Sequence, residues 1–357
     1  MITHLIQILA VIFIFGVLII SHELGHFWTA RKCGVRVELF TFGFGPKLFG
    51  FKRGDTLYQV ALIPFGGAVK LAGEEGYGKE EEPKGDEYFA KPAGQRALIL
   101  IMGSVHNFVL GFLVFVLVFI LGIQTVNYRQ PMVGGIQPGF PAQSVGIKSG
   151  DLITRVAGKK VTNWLTLSKE IHRYPGQEIT LEVLRGKEVL NFKIVPKADI
   201  SKTIQGRETV GLIGIIPAEI REKFSIIPAF GRAGKETVRV VGLIFYYLGK
   251  LFTRELSTRE LAGPVGIAQM TGQFVQTGWS GFLYFLALLS VNLSIVNLFP
   301  LPMLDGGHVA GVLIESIRKR KPSRRFLEIS QTIGFGLIIL LALFVTYNDI
   351  LRILKIK

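Results

Sequence analysis

The sequence predicts an α-helical polytopic membrane protein with four transmembrane helices, a membrane-associated β region and one small inserted α+β domain. Three observations carry this. Four apolar runs, near residues 5–28, 97–123, 279–300 and 331–351, are each long enough to cross a bilayer core of about 30 Å. Mean hydropathy is +0.42, with 49% hydrophobic residues, well above what a soluble enzyme of 357 residues needs. Between the second and third runs lies a stretch of short alternating segments punctuated by turns.

The first run, Leu5 to Ile20, leads into Ser21-His22-Glu23-Leu24-Gly25-His26 before Phe27-Trp28-Thr29-Ala30 resumes the apolar pattern. On a helix, His22 and His26 lie four apart on one face, so both imidazoles can converge on one ion, with Glu23 beside them. His-Glu-x-x-His pairs two zinc ligands with a general base that activates a metal-bound water. Ionisable side chains at bilayer depth are costly and mark function. The start of the chain lacks a basic n-region and a small-residue cleavage site, so this run reads as a retained span.

Residues 35–72 alternate apolar with polar or glycine residues, and Arg53-Gly54-Asp55 suits a turn, which predicts β-hairpins against the membrane face. Residues 74–87 are acidic, glycine-rich and aperiodic, as a mobile loop would be. The second run carries a polar insert, Ser104-Val105-His106-Asn107. In the domain that follows, strands are expected at Val133–Gln137, Asp151–Val156, Ile179–Arg185 and Val189–Val195, and helices at Ala142–Val145 and Leu165–Arg173. Val240 to Leu248 is bracketed too closely by Arg239 and Lys250 to span, and reads as an amphipathic interfacial helix.

The formal charge is +15, from 41 Lys plus Arg against 26 Asp plus Glu. Nucleic-acid binding is not the reading, because the basic residues cluster beside apolar spans, as in Arg318-Lys319-Arg320-Lys321, without interleaved aromatics. Positive-inside bias in 31–53 and 308–330 puts both segments in the cytoplasm and 124–278 outside. That topology brings His22 and His26, the Ser104–Asn107 insert and the end of the third run to one depth, nearer the cytoplasm. A zinc site needs a third protein ligand and an open position. Asp305 is the candidate by depth and chemistry, with Pro300 and Pro302 breaking the helix ahead of it; the competing reading makes Asp305-Gly306-Gly307 an interfacial turn. The single cysteine, Cys33, excludes an intrachain disulfide framework.

With these residues in view, the chain resembles the site-2 protease family of intramembrane zinc metalloproteases, in its bacterial branch carrying a PDZ domain. The resemblance rests on His22-Glu23-x-x-His26, Gly43-Phe44-Gly45-Pro46, Pro64-Phe65-Gly66-Gly67, Gly263-Pro264-Val265-Gly266 and Asn297-x-x-Pro300-x-Pro302-x-Leu304-Asp305-Gly306. It implies Zn2+ held by His22, His26 and Asp305, with Glu23 as general base, and substrate binding at Asn297, Pro300 and Pro302, together with Asn107 of the second span. It further implies a PDZ-like fold over 127–200 that binds substrate or peptide termini, and a 35–72 segment that can present an edge strand to substrate. By the same resemblance the chain is a multi-pass protein of a bacterial inner membrane, with termini and PDZ-like domain outside. It would cleave membrane-spanning segments, such as trimmed anti-sigma factors or remnant signal peptides. Ser104 departs from the proline usual after Gly103, which leaves the zinc site untouched on this reading but bears on the placement of span two. Two other classes fit part of the pattern: an inactive homologue that sequesters membrane helices, and a metal transporter, which would not need the PDZ-like insert.

Overall fold

The computed structural model describes residues 2–74, 84–203, 206–253, 255, 262–319 and 324–354. Four helices are long and apolar enough to cross a membrane: α1 (Ile2–Lys32), α2 (Ala93–Leu121), α7 (Trp279–Asn297) and α9 (Arg324–Ile353). The chain forms two compact units, one of residues 1–121 with 224–357 and the other of Gly122–Lys223.

In the larger unit, α2 packs against both α1 and α7, and glycines set how closely. A Cβ on Gly25 of α1 would lie 2.2 Å from the Met102 carbonyl oxygen, and one on Gly111 of α2 would lie 2.7 Å from Val291 Cγ2 of α7. Larger residues there would hold the helices apart. After α1 come two long antiparallel strands, β1 (Val37–Arg53) and β2 (Thr56–Leu71), joined at Gly54. Both bend, so residues 39–42 pair with 57–60 on one side and with 67–70 on the other, while 47–53 pair with 56–61. The result is in effect a four-segment sheet ordered 47–53, 56–61, 37–42, 67–71. Among the described residues no strand pairs with the outer edge of 67–71. The expected mobile loop at 74–87 falls largely on 75–83, outside the described residues. Phe27, Ala30, Val35, Val37, Leu71, Tyr88 and Ile99 form the core that holds the sheet to α1 and α2.

Two further helices of this unit are amphipathic or short: α5 (Ile226–Phe252), which encloses the expected interfacial segment, and α6 (Pro264–Gln276). Tyr284 of α7 and Arg239 both hydrogen-bond Glu236, tying α5 to α7. The segment from 308, expected as a loop, departs from expectation: Asp305–Arg318 form helix α8, and residues 320–323 lie outside the described residues. At 14 residues α8 is too short to span a bilayer, and Val312 is buried while Leu313, Ile314 and Ile317 are exposed.

The smaller unit has its own core, including Val133, Ile153, Val156, Leu167, Leu181, Val183 and Ile194. Strands β4 (Val133–Ile136), β5 (Leu152–Val156), β7 (Ile179–Arg185) and β8 (Glu188–Ile194) and helices α3 (Pro141–Ser144) and α4 (Trp164–His172) lie close to the expected positions. Asn163 caps α4, accepting from the Thr166 N–H. The unit is longer than the expected 127–200. Strand β3 (Ile123–Val126) at its start pairs with β12 (Glu219–Glu222) at its end, and β11 (Ile215–Pro217) pairs with β4. Strands this short leave little periodicity to read. Asp151, wholly buried, accepts two hydrogen bonds from Arg185, each 2.8 Å, and a third from the Lys148 N–H.

Candidate metal centre

His22 and His26 sit one turn apart on α1, and their Nε2 atoms face each other at 3.2 Å. Asp305 supplies both oxygens to them: Oδ2 lies 3.3 Å from His22 Nε2, and Oδ1 lies 3.6 Å from His26 Nε2. The two ring nitrogens and the carboxylate thus converge on one small space, with 3.2–3.6 Å between neighbouring atoms, each residue offering one ligand atom within reach of a shared cation. A tetrahedral zinc about 2.0–2.1 Å from each donor holds them roughly 3.3–3.4 Å apart, so the donor set and spacing fit that ion and leave one position open. Among the described residues, His22, His26 and Asp305 are the one cluster of His, Cys, Asp or Glu whose ligand atoms all lie within 4.8 Å.

The surroundings fix this arrangement. His26 Nδ1 lies 2.8 Å from the Ile99 carbonyl oxygen of α2. A carbonyl only accepts, so Nδ1 carries the proton and Nε2 presents its lone pair to the centre. Gly103 lies over both rings: a Cβ there would stand 2.2 Å from His26 Nε2 and 2.8 Å from His22 Cε1. Only glycine lets α2 come so near. Ser104 Oγ donates to Asp305 Oδ2 at 3.3 Å, which corrects the expectation that the Ser104 departure leaves the centre untouched. Where the usual proline could donate nothing, serine orients the carboxylate.

Asp305 reaches α1 because of the turn before it. Helix α7 stops at Asn297, the chain turns through Pro300 and Pro302, and Asp305 opens α8. The turn is tight: a Cβ on Gly306 would lie 2.2 Å from the Leu298 carbonyl oxygen, and one on Gly307 would lie 2.1 Å from that of Leu301. The Asp305-Gly306-Gly307 sequence is thus neither a plain turn nor the end of a span but the first turn of a new helix. The buried Arg96 of α2 holds that helix from its far end, donating 3.0 and 2.9 Å hydrogen bonds to the partly buried Glu315.

Glu23 points to the sheet side of α1. Gly67 of the free edge approaches so closely that a Cβ would lie 3.0 Å from Glu23 Cγ, and the Val69 N–H faces the Glu23 carboxylate. The general-base candidate thus stands where the free strand edge meets the three donors.

The remaining expected site residues are placed differently. Asn107 is fully buried; its backbone carbonyl accepts from Ser290 Oγ at 2.6 Å, while neither amide atom has a partner among the described residues. Asn297 ends α7, half-buried, and Pro300 is exposed. Pro302 lies against α9, where a Cβ on Gly334 would be 2.5 Å from it. His106 meets Trp28 edge to face, and His308 lines a cavity beyond α8. Gly103, Ile99, Arg96 and Glu315 have no part in the centre that the sequence predicts, and Ser104 enters it only as the start of a polar insert at matched depth. Gly103, a small residue directly before that insert, carried the one further signal.

The chain is similar to known proteins over most of its length. The model of peptidase family M50 matches residues 10–341. The regulator of sigma-W protease RasP of Bacillus subtilis is 30% identical, over 97% of this chain and 98% of that protein. A putative zinc metalloprotease of Clostridium perfringens is 34% identical, over 94% of this chain and 96% of its own length, and the regulator of sigma-E protease RseP of Escherichia coli is 29% identical, over 99% and 100%. Among solved structures, the PDZ domain of an SdrC-like protein from Listeria monocytogenes is 26% identical, covering 26% of this chain and 92% of that one at a TM-score of 0.21. The family match and the relatives extend over nearly the whole chain, and the chain belongs to peptidase family M50.

Proposed function

We propose that the zinc-dependent peptide hydrolysis of this M50 peptidase takes place within a bilayer, on membrane-spanning segments, with His22, His26 and Asp305 as the zinc ligands and Glu23 as general base. The observation that carries it is the convergence of the His22 and His26 Nε2 atoms, 3.2 Å apart, on the two oxygens of Asp305 at 3.3 and 3.6 Å, built by one helix long and apolar enough to span together with the residue that opens α8. Zinc, when bound, supplies a Lewis acid that polarises a carbonyl and makes a water acidic near neutral pH. Glu23 takes the proton of the attacking water and hands it to the leaving amine. His26, held by Ile99, and Asp305, held by Ser104, keep their lone pairs on the centre.

A helical substrate hides its carbonyls in its own hydrogen bonds and has to be unwound. The free edge at residues 67–71 supports pairing with an extended substrate strand beside Glu23. Asn107, Asn297, Pro300 and Pro302 are assigned to substrate binding, the unpartnered Asn107 amide offering both a donor and an acceptor. The unit at 122–223 is read as a PDZ-like domain that binds substrate or peptide termini outside the membrane. The site faces the cytoplasm of a bacterial inner membrane, the termini lie outside, and anti-sigma factors and remnant signal peptides are the substrate class. The exposed apolar faces of α1 and α9, including Leu5, Leu9, Phe13, Ile333, Leu337 and Leu341, support insertion in lipid.

The test is Glu23→Gln in the full-length protein, with a co-expressed single-span substrate. Zinc should remain at one per chain while cleavage disappears. Cleavage at the wild-type rate would overturn the assignment of the base.

A further inference from the structure

A cavity of about 230 Å³ opens beside the metal centre, lined by Leu71, Glu74, Tyr88, Arg96, His308 and Glu315 among others. Its position follows from elements already described. His308 lies one turn along α8 from Asp305, and Leu71 ends the strand whose Gly67 and Val69 meet Glu23. A strand advances about 3.3–3.4 Å per residue, so a peptide paired along 67–71 with its scissile bond near Glu23 brings the residue two to four positions away to the cavity mouth.

The charges in the cavity are specific. Arg96 is bound through two nitrogens to Glu315, so those two neutralise each other. Glu74 holds instead the neutral Leu71 N–H, at 3.1 Å. That donor points outward from the same free edge as the Val69 N–H, two residues on. The Glu74 carboxylate therefore occupies a hydrogen-bonding position that an incoming strand needs. Membrane-spanning segments carry Lys and Arg just beyond their cytoplasmic ends, so a substrate unwound from that end brings a cation to this place.

We propose that the cavity is a substrate subsite for a lysine or arginine side chain two to four residues from the scissile bond, with Glu74 as its anionic partner, released from the Leu71 N–H when the substrate strand pairs there. This rests on the peptidase reading above and adds to it the residue that selects the flanking sequence. The side chain enters beside His308 and stops short of the Arg96–Glu315 pair, which closes the far wall.

The experiment is a charge exchange in purified full-length protein. Two substrates differ only in carrying Lys or Glu at the flanking position, and wild type, Glu74→Gln and Glu74→Lys are compared on both by kcat/KM, with zinc content measured for each protein. Wild type should prefer the Lys substrate by about tenfold, Glu74→Gln should lose most of that preference, and Glu74→Lys should invert it. The change should lie mainly in KM. An unchanged Lys-to-Glu ratio in zinc-loaded Glu74→Lys, with cleavage still abolished by Glu23→Gln, would overturn the subsite alone. Cleavage of both substrates that persists in Glu23→Gln would instead overturn Glu23 as the base, and with it the position of the scissile bond from which the subsite is measured.

Discussion

Gly103→Ala tests how the centre is built, because the added methyl enters it directly. The new Cβ would stand 2.2 Å from His26 Nε2, 2.6 Å from His26 Cε1 and 2.8 Å from His22 Cε1, where ordinary contact begins at 3.4 Å. Helix α2 has little room to retreat, since it is also packed against α7, where a Cβ on Gly111 would already lie 2.7 Å from Val291 Cγ2. The rings must therefore move by roughly 1 Å, several times the tolerance of about 0.2 Å on metal–ligand distances. Overpacking alone costs about 1–3 kcal/mol of stability. The loss of zinc affinity should be about 100-fold, the upper end for changes around the ligands. Gly111→Ala on the same helix is the matched control: its Cβ would meet Val291 Cγ2 at 2.7 Å and no histidine. Zinc per chain, measured by plasma mass spectrometry after dialysis against a weak chelator, should fall to near zero for Gly103→Ala and stay at one for Gly111→Ala, while both unfold at lower temperature. Equal zinc retention in the two variants would refute the claim that Gly103 is required by the histidine rings.

Other expectations follow from single contacts. Ser104→Ala removes the hydroxyl that orients Asp305 and should weaken zinc binding about tenfold, read by competition with a chromogenic chelator, without changing thermal stability by more than about 1 kcal/mol. Arg96→Met leaves the Glu315 carboxylate, 14% exposed at the cavity, without its partner and should cost about 1–3 kcal/mol, whereas Arg96→Met with Glu315→Leu should recover most of that in thermal unfolding in detergent. In the unit at 122–223, Asp151 is buried, which favours its neutral form, but hydrogen bonds from Arg185 and Lys148 outweigh this and hold its pKa below the ordinary carboxylate value. The stabilisation from Asp151 is thus fully present above the unfolded pKa of about 3.9 and fades as pH falls below it. Hydrogen exchange of that unit in full-length protein should show accelerated opening below about pH 4, and Arg185→Met, which leaves burial to raise the Asp151 pKa, should speed opening at neutral pH and flatten that acid dependence. Asp349→Ala should loosen α9, because the wholly buried carboxylate accepts the Gly266 N–H of α6 at 2.7 Å; exchange at residues 264–268 should rise, consistent with about 1–3 kcal/mol for an orphaned donor.

The sequence by itself determined whatever depends on neighbours along the chain. Apolar runs of span length declared the four long helices, a spacing of four set His22 and His26 on one face of α1, and alternating residues announced the strands of the inserted unit. Local pattern also marked Asp305 as a candidate, but only as one polar residue after two prolines. The tertiary structure alone decided that Asp305 reaches the histidines, since this depends on the first turn of α8 and on two glycines pressed against the Leu298–Leu301 carbonyls. It decided too that Ser104, 201 residues away in the chain, holds the Asp305 carboxylate. Hydropathy was blind to α8, whose stability comes from packing and from the Arg96–Glu315 pair. Nor could strand periodicity give the order of a sheet in which residues 39–42 pair on both sides and leave 67–71 free beside Glu23. Period and composition are properties of segments. The metal centre is a meeting of three helices and a strand edge, and its distances were set where those segments pack.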